Sequence, residues 1–161
     1  MSFRDKILTR SALSSWRAAA RAAGRKVVAT NGCFDLLHMG HVTYLERARN
    51  QGDALLVGVT GDRSVSRLKG PNRPINTEAD RAAVIAALGS VDAVFVFSED
   101  NALQFLDLAR PDLYAKGGDY VLDTINQEER KFLEHIGCEI VFIPLVPAKS
   151  TTALLEKISR L

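Results

Sequence analysis

The stretch VVATNGCFDLLHMGHVTYL (Val27 to Leu45) starts as an apolar, β-branched run and breaks at Asn31-Gly32, a common turn pair. Lys26 to Thr30 reads as a short buried strand. Val42 to Asn50 reads as a helix with Val42, Leu45 and Ala48 on one side. The next apolar run, ALLVGVT (Ala54 to Thr60), is continuous rather than alternating, as expected of a parallel strand covered on both faces. Strand, helix and parallel strand in succession make a βαβ unit, and that unit decides the fold.

The pattern continues in both directions. Upstream, Leu8, Ala12, Trp16, Ala19 and Ala23 fall at helical spacing and Gly24 provides a stop. The Arg-, Ala- and Ser-rich composition there superficially resembles an organelle transit peptide, but an ordinary first helix (1–24) accounts for it. Downstream, Gly61 to Asn76 reads as a polar, basic loop. Thr77 is placed to cap a helix running to about Leu88, with Asp80 at its third position and Val84, Ile85 and Leu88 inward. Val91–Phe97 is a third strand, and Ser98 caps a helix from Glu99 to about Ala109. Asp112–Gly118 is a fourth strand, Asn126 or Thr124 opens a helix that stops at Gly137, Glu139–Pro144 is a fifth strand, and Ser150 to Ile158 is the last helix. Right-handed crossovers then predict an α/β fold: an open, doubly wound five-stranded parallel sheet with helices on both faces, as one domain over 1–161.

Composition excludes more than it selects. The 161 residues are 47% apolar and 25% charged, ordinary for a globular domain. A net charge of +2 gives no ground for a nucleic-acid partner. Cys33 and Cys138 form no CxxC pair, which fits a reducing compartment and a cytoplasmic location. No apolar run approaches the ~18 residues of a membrane span.

Ligands of such sheets sit beyond the carboxyl ends of the strands, where strand order reverses. Those ends carry NGCFDLLHMGH, the basic loop with Arg63, Arg67, Lys69 and Arg73, then KGGDY (Lys116 to Tyr120), then VPAKSTT (Val146 to Thr152). Singly, each has a structural reading: a turn, a solvated charge, a helix cap. Together they suit a multiply charged anion such as a nucleoside triphosphate. Zinc is disfavoured, because His38 and His41 lack i,i+4 spacing and no CxxC accompanies them. His135 reads as a surface residue, and thiol catalysis through Cys33 lacks a clearly placed orienting acid. Phosphate binding explains more: Gly40 permits close backbone approach, His41 opens a helix whose free amides and dipole favour an anion, and the imidazoles gain a reason to be protonated.

TNGCFDLLHMGH resembles the HxGH signature of the nucleotidylyltransferase superfamily, and KSTTALLEKI is similar to its second, serine- and threonine-rich motif. Within it, TNGCFDLLHMGH, RLKGPNRPIN and KGGDY look like the bacterial heptose 1-phosphate adenylyltransferases. That resemblance runs from about Leu13 to Ile158 and implies a free-standing form. It implies transfer of AMP from ATP to D-glycero-β-D-manno-heptose 1-phosphate, release of pyrophosphate, an ADP-heptose for lipopolysaccharide core synthesis, a role for Mg²⁺, and a homodimer. The alternative is a cytidylyltransferase acting on glycerol 3-phosphate or another small phosphate. One departure bears on that choice: Val146-Pro147-Ala148-Lys149 stands where cytidylyl relatives carry Arg-Thr-Glu-Gly.

The resemblance also implies roles. His38 and His41 contact the triphosphate and stabilise its departing part, and amides around Gly32, Cys33 and Phe34 hold phosphate. Lys69 bridges the acceptor phosphate and the α-phosphate, with Arg73 as helper. Gly117, Gly118 and Asp119 lie near the nucleoside, while Ser150, Thr151 and Thr152 bind phosphate. Asn31 and Lys116 are assigned to nucleotide and acceptor, and Asp35 to orienting the loop or a metal-bound water. The acceptor is already anionic, so catalysis reduces to positioning and charge neutralisation, without a general base.

Overall fold

Strands β1 (Val27–Gly32), β2 (Ala54–Thr60), β3 (Ala93–Phe97), β4 (Leu113–Gly117) and β5 (Glu139–Ile143) form one sheet. All are parallel, in the order β3-β2-β1-β4-β5. The computed structural model describes residues 2–118, 120–144, 146–147 and 150–161. The helices are α1 (Arg10–Ala22), α2 (Met39–Arg49), α3 (Asp62–Lys69), α4 (Glu78–Ala86), α5 (Leu103–Ala109), α6 (Gln127–His135) and α7 (Thr151–Ile158). Successive strand residues face opposite ways, so each strand feeds two cores. Val27, Ala29, Leu56 and Phe95 join Leu13, Phe105 and Leu133 on the face of α1, α5 and α6. Val28, Leu55, Val57 and Val94 join Tyr44, Leu45 and Ile85 on the face of α2 and α4. This double coverage is why the strand sequences lack polar alternation. The doubly wound sheet expected from the sequence is the one observed.

Several local expectations are corrected. In α1 the buried stripe is Leu13, Arg17 and Ala20, while Ala19 and Ala23 are exposed. The face is rotated because the Arg17 guanidinium is itself a core element, bonded to Asp112 and to the Ala109 and Arg110 carbonyls. Val42 and Val84 are exposed rather than inward; Tyr44 and Arg81 fill the places they were expected to take. The basic stretch after β2 is not all loop, because it contains α3. Ser98 does not cap a helix either: α5 begins at Leu103, and the amide of the preceding Ala102 donates to Glu129 Oε1 at 2.8 Å. Thr77 does cap α4, accepting from the Asp80 amide, and Asn126 caps α6.

The amino end of the sheet is pinned by one device used twice. Asp112, just before β4, accepts from the Val27 amide opening β1 and from Arg17 of α1. Asp92, just before β3, accepts from the Leu55 amide in β2 and from Arg49 of α2. Each carboxylate joins a strand start to a covering helix, which fixes how far each strand reaches at the other end. There, β1 and β4 lie side by side at the point where strand order reverses.

Candidate active site

The first wall of the cleft grows from the end of β1. After Gly32 the chain passes through Phe34, held in the left-handed region at φ 51°. A side chain at Gly32 would press on the folded-back Phe34 ring at 3.0 Å, and glycine relieves that contact. His38 then caps α2, with Nδ1 accepting from the Gly40 amide at 3.1 Å and its carbonyl accepting from His41 N–H. This modifies the sequence expectation, because amides at the start of α2 are already used by His38. What the turn presents to the cleft is imidazole. His38 and His41 stack with ring centroids 3.9 Å apart, and Phe34 meets His41 edge-on.

His41 Nδ1 is buried and has no hydrogen-bond partner among the described residues. Burial, followed by the nearby His38 and Lys69 charges, pulls its pKa down to about 4. The ring is therefore neutral at pH 7 in the chain by itself, and the sequence reading ties its protonation to a facing triphosphate. Protonation there needs an incoming anion.

Asp35 and Arg73 join two loops. The buried Asp35 carboxylate accepts from Arg73 Nε at 2.7 Å and from the Ile75 and Asn76 amides at 2.9 Å. Burial raises its pKa, but the two amides and the guanidinium outweigh that and hold it below the usual carboxylate value. With its oxygens bonded to protein donors, the Asp35 carboxylate ties the turn after β1 to the loop before α4. Arg73 Nη2, in contrast, is buried without a partner among the described residues. Arg81 supports the same loop from below, donating to Cys33 O at 2.6 Å, Asn76 O and Asp62 Oδ1.

The other wall comes from β4 and α7. Asn31 Oδ1 accepts from the Tyr114 hydroxyl. Lys116 Nζ lies 5.4 Å from the Tyr120 ring centroid and 5.8 Å from that of Tyr114; burial lowers its pKa, and the Glu129 charge partly restores it. Gly117 is needed for packing: a Cβ there would lie 2.8 Å from the Tyr44 ring. The Thr151 hydroxyl donates to Leu36 O at 3.2 Å and brings the start of α7 to the cleft.

These elements enclose a cleft of about 300 Å³ lined by Asn31, Gly32, Cys33, Phe34, Asp35, His41, Lys69, Arg73, Lys116, Gly117 and Thr151, together with Tyr44 and Tyr120. His38 joins it through its stack on His41. Gly118 hydrogen-bonds to β5 and is not on the lining, and Ser150 spends its side chain capping α7. Thr152 is exposed and also off the lining. Asp119, expected near the nucleoside, and Lys149 lie outside the described residues. Tyr44, Tyr120 and Arg81 were not anticipated. Tyr44 carries a legible signal, since it falls three residues after His41 on the same helix face; Arg81 has none. Both cysteines are free, and burial raises the Cys33 thiol pKa despite nearby Lys69 and Arg81. A neutral thiol there fits a packing role.

A cytidylyltransferase-like family model matches residues 29–157. The chain is 44% identical over 158 residues to a protein of Syntrophotalea carbinolica named bifunctional protein HldE, covering 98% of this chain and 32% of that one. It is 52% identical over 141 residues to a protein of the same name from Azotobacter vinelandii, covering 88% and 29%. The chain thus spans about a third of these relatives' length. Among solved structures, a lipopolysaccharide core biosynthesis protein from Thermoplasma volcanium superposes with a TM-score of 0.63 at 27% identity, covering 78% of this chain and 100% of that one. A pantoate-beta-alanine ligase from Francisella tularensis, complexed with beta-gamma ATP and beta-alanine, superposes with a TM-score of 0.66 over 96% of this chain and 78% of its own; at 15% identity it speaks to fold alone. With a strand-order reversal that gathers imidazole and cationic side chains over one cleft, and a family model spanning β1 to α7, the chain belongs to the cytidylyltransferase-like family and is a nucleotidyltransferase.

Proposed function

We propose that the protein transfers AMP from ATP to D-glycero-β-D-manno-heptose 1-phosphate, releasing pyrophosphate and forming an ADP-heptose in the cytoplasm for lipopolysaccharide core synthesis. The observation that carries this reading is the gathering of His41, Lys69, Arg73 and Lys116 on one cleft lining. Among the described residues, His41 Nδ1 and Arg73 Nη2 are also buried and unbonded, and leaving buried polar atoms unpaired costs roughly 1–3 kcal/mol each. So dense a set of imidazole and cationic groups suits a polyphosphate. The HldE relatives and the HxGH-type turn support ATP and a heptose phosphate as the substrates.

An oxygen of the acceptor phosphate forms a bond to the α-phosphorus as the bond from that phosphorus to the bridging oxygen breaks. The electron pair leaves with pyrophosphate, and no proton need be removed from the nucleophile. His38 and His41 answer the charge growing on the leaving group; Lys69 and Lys116 draw the two anionic reactants together, and the Arg73 guanidinium adds positive charge beside the phosphates. Each acts by preorganised charge rather than covalently. Mg²⁺ fits this scheme as part of the MgATP substrate. Among the described residues no cluster of three His, Cys, Asp or Glu could hold a metal, and Asp35, the only carboxylate on this lining, is taken by protein donors. Mg²⁺ characteristically binds substrate phosphates and waters with few protein ligands.

The test is a panel of ATP or CTP against heptose 1-phosphate and glycerol 3-phosphate, followed by pyrophosphate release. ATP with heptose 1-phosphate is expected to give ADP-heptose; no product from that pair ends the reading. Turnover of CTP with glycerol 3-phosphate would establish the cytidylyltransferase alternative.

A further inference from the structure

Beside the phosphate-facing cleft lies a second lobe of about 300 Å³. Asn31, Lys116 and Tyr120 line both, so the two lobes meet at the Lys116 ammonium. Their chemistry differs. The first lobe gathers His41, Lys69 and Arg73. The second is walled by Thr60 at the end of β2, by Asn101 and Asn126, and by two carboxylates, Asp100 and Glu129, with Phe97 and Ile125 supplying apolar surface.

Glu129 is the unusual member. It is only 6% exposed, yet among the described residues it has no ion-pair partner. Oε1 accepts from the Ala102 amide at 2.8 Å, and Oε2 has no protein donor among those residues. Thr60, 7% exposed, likewise has no hydrogen-bond partner for its hydroxyl among them. Asp100 is neutralised by Arg67, at 2.5 Å. With no protein donor among the described residues, Glu129 Oε2 is open to the cavity, where a hydroxyl donor can reach it, and an anionic wall repels phosphate. A neutral molecule rich in hydroxyls, with apolar C–H faces for Phe97 and Ile125, satisfies both conditions.

We propose that this second lobe seats the polyol body of the acceptor, with Glu129 Oε2 and the Thr60 hydroxyl bonding its hydroxyl groups while its phosphate stays at Lys116. The inference rests on the sugar-phosphate reading above and adds what selects the sugar. A site built to bond hydroxyls rejects analogues that lack them, because its own polar groups are then stranded. The lobe therefore discriminates a sugar 1-phosphate from glycerol 3-phosphate, which can occupy the phosphate position but cannot fill the wall.

The test uses steady-state kinetics on the full chain, with Glu129→Gln and Thr60→Val beside the wild type. Gln keeps an oxygen for the Ala102 amide and removes the charge; Val keeps the shape of Thr and removes a hydroxyl without a protein partner. Glu129→Gln is expected to raise the acceptor KM at least about tenfold and Thr60→Val about threefold, by loss of a hydroxyl contact. The ATP KM is expected to stay within about twofold, since the phosphate lobe is untouched. The preference for heptose 1-phosphate over glycerol 3-phosphate, as a ratio of kcat/KM, is expected to fall in both variants. A merely structural role for Glu129 would move Tm, or both KM values together, and would leave that ratio alone. If Glu129→Gln does not fold, Thr60→Val decides. Unchanged acceptor KM and unchanged preference in the folded variants would overturn the inference while the wild type remained active. A wild type inert toward every sugar 1-phosphate would instead overturn the parent reading, and this one with it.

Discussion

At the amino edge of the sheet, Arg17 places Nε on the carbonyls of Ala109 and Arg110 and Nη2 on Asp112, leaving only Nη1 without a partner among the described residues. Arg49 likewise meets Asp92 and the Gly52 carbonyl. At the carboxyl edge, among the described residues, Arg73 spends Nε on Asp35 but leaves Nη2 buried and unbonded, beside an unbonded His41 Nδ1 and a Lys116 set against two aromatic rings. The residue types overlap; the supply of partners differs. One end uses charge to join strands to helices, and the other holds charge in reserve for something that arrives from solution. What separates a structural arginine from a functional one here is which of its nitrogens the fold has already answered.

The largest effect expected from breaking this contrast is at the reserved end. His38→Ala or His41→Ala should lower turnover by about two orders of magnitude or more, roughly 3 kcal/mol of transition-state stabilisation, with the fold intact. Wild-type rates in both variants, measured by pyrophosphate release, would remove the histidines from the mechanism. Arg17→Met tests the satisfied end: stability should fall by about 3 kcal/mol in denaturant titration, because Asp112 loses a buried partner. Turnover per folded molecule should be unchanged, and a large rate loss would mean that the two ends are not separable.

The third prediction concerns pH. His41 sits at about 4 in the folded chain, against about 6.5 when unfolded. Between those values the unfolded chain binds more protons. Its contribution to stability is thus full above about 6.5 and is lost as pH falls toward 4, by at most about 3 kcal/mol. His41→Asn should flatten that part of the pH profile; coincident wild-type and variant curves would show that His41 is not desolvated. The smallest effect belongs to Lys26→Ala, which removes an exposed ion pair with Glu139 (3.4 Å) and should shift stability by no more than about 0.5 kcal/mol.

How much of this could be read without coordinates follows the same division. The strands were legible because residues buried on both faces leave a continuous apolar signature, as in Ala54–Thr60. The carboxyl-end loops were legible because glycines, histidines and cations recur at fixed places after those strands. Helix α3 was missed because DRSVSRLK holds two apolar residues in eight and opens at Gly61 with no side-chain cap. The true face of α1 was missed because its central buried group is an arginine, and no hydropathy pattern marks a charge as interior. Glu129 stayed hidden for a related reason. It sits in QEERKFLEH beside Glu128 and Glu134, and only the fold distinguishes the one carboxylate of the three that is buried.

The Asp35 clamp has a consequence for motion. Its carboxylate accepts from Arg73 and from the Ile75 and Asn76 amides, and its carbonyl accepts from the Asn76 side chain at 2.7 Å. Two segments some forty positions apart in the chain thereby share one buried hinge pin. Neither loop can swing outward alone without stranding a buried carboxylate, so subglobal opening of this corner is costly. The Ile75 and Asn76 amides, although they belong to a loop, should exchange with solvent deuterium on the slow timescale of the strands. Substrates would then enter a mouth that is already shaped, and the rate of capture would be set by diffusion and charge rather than by a closing lid.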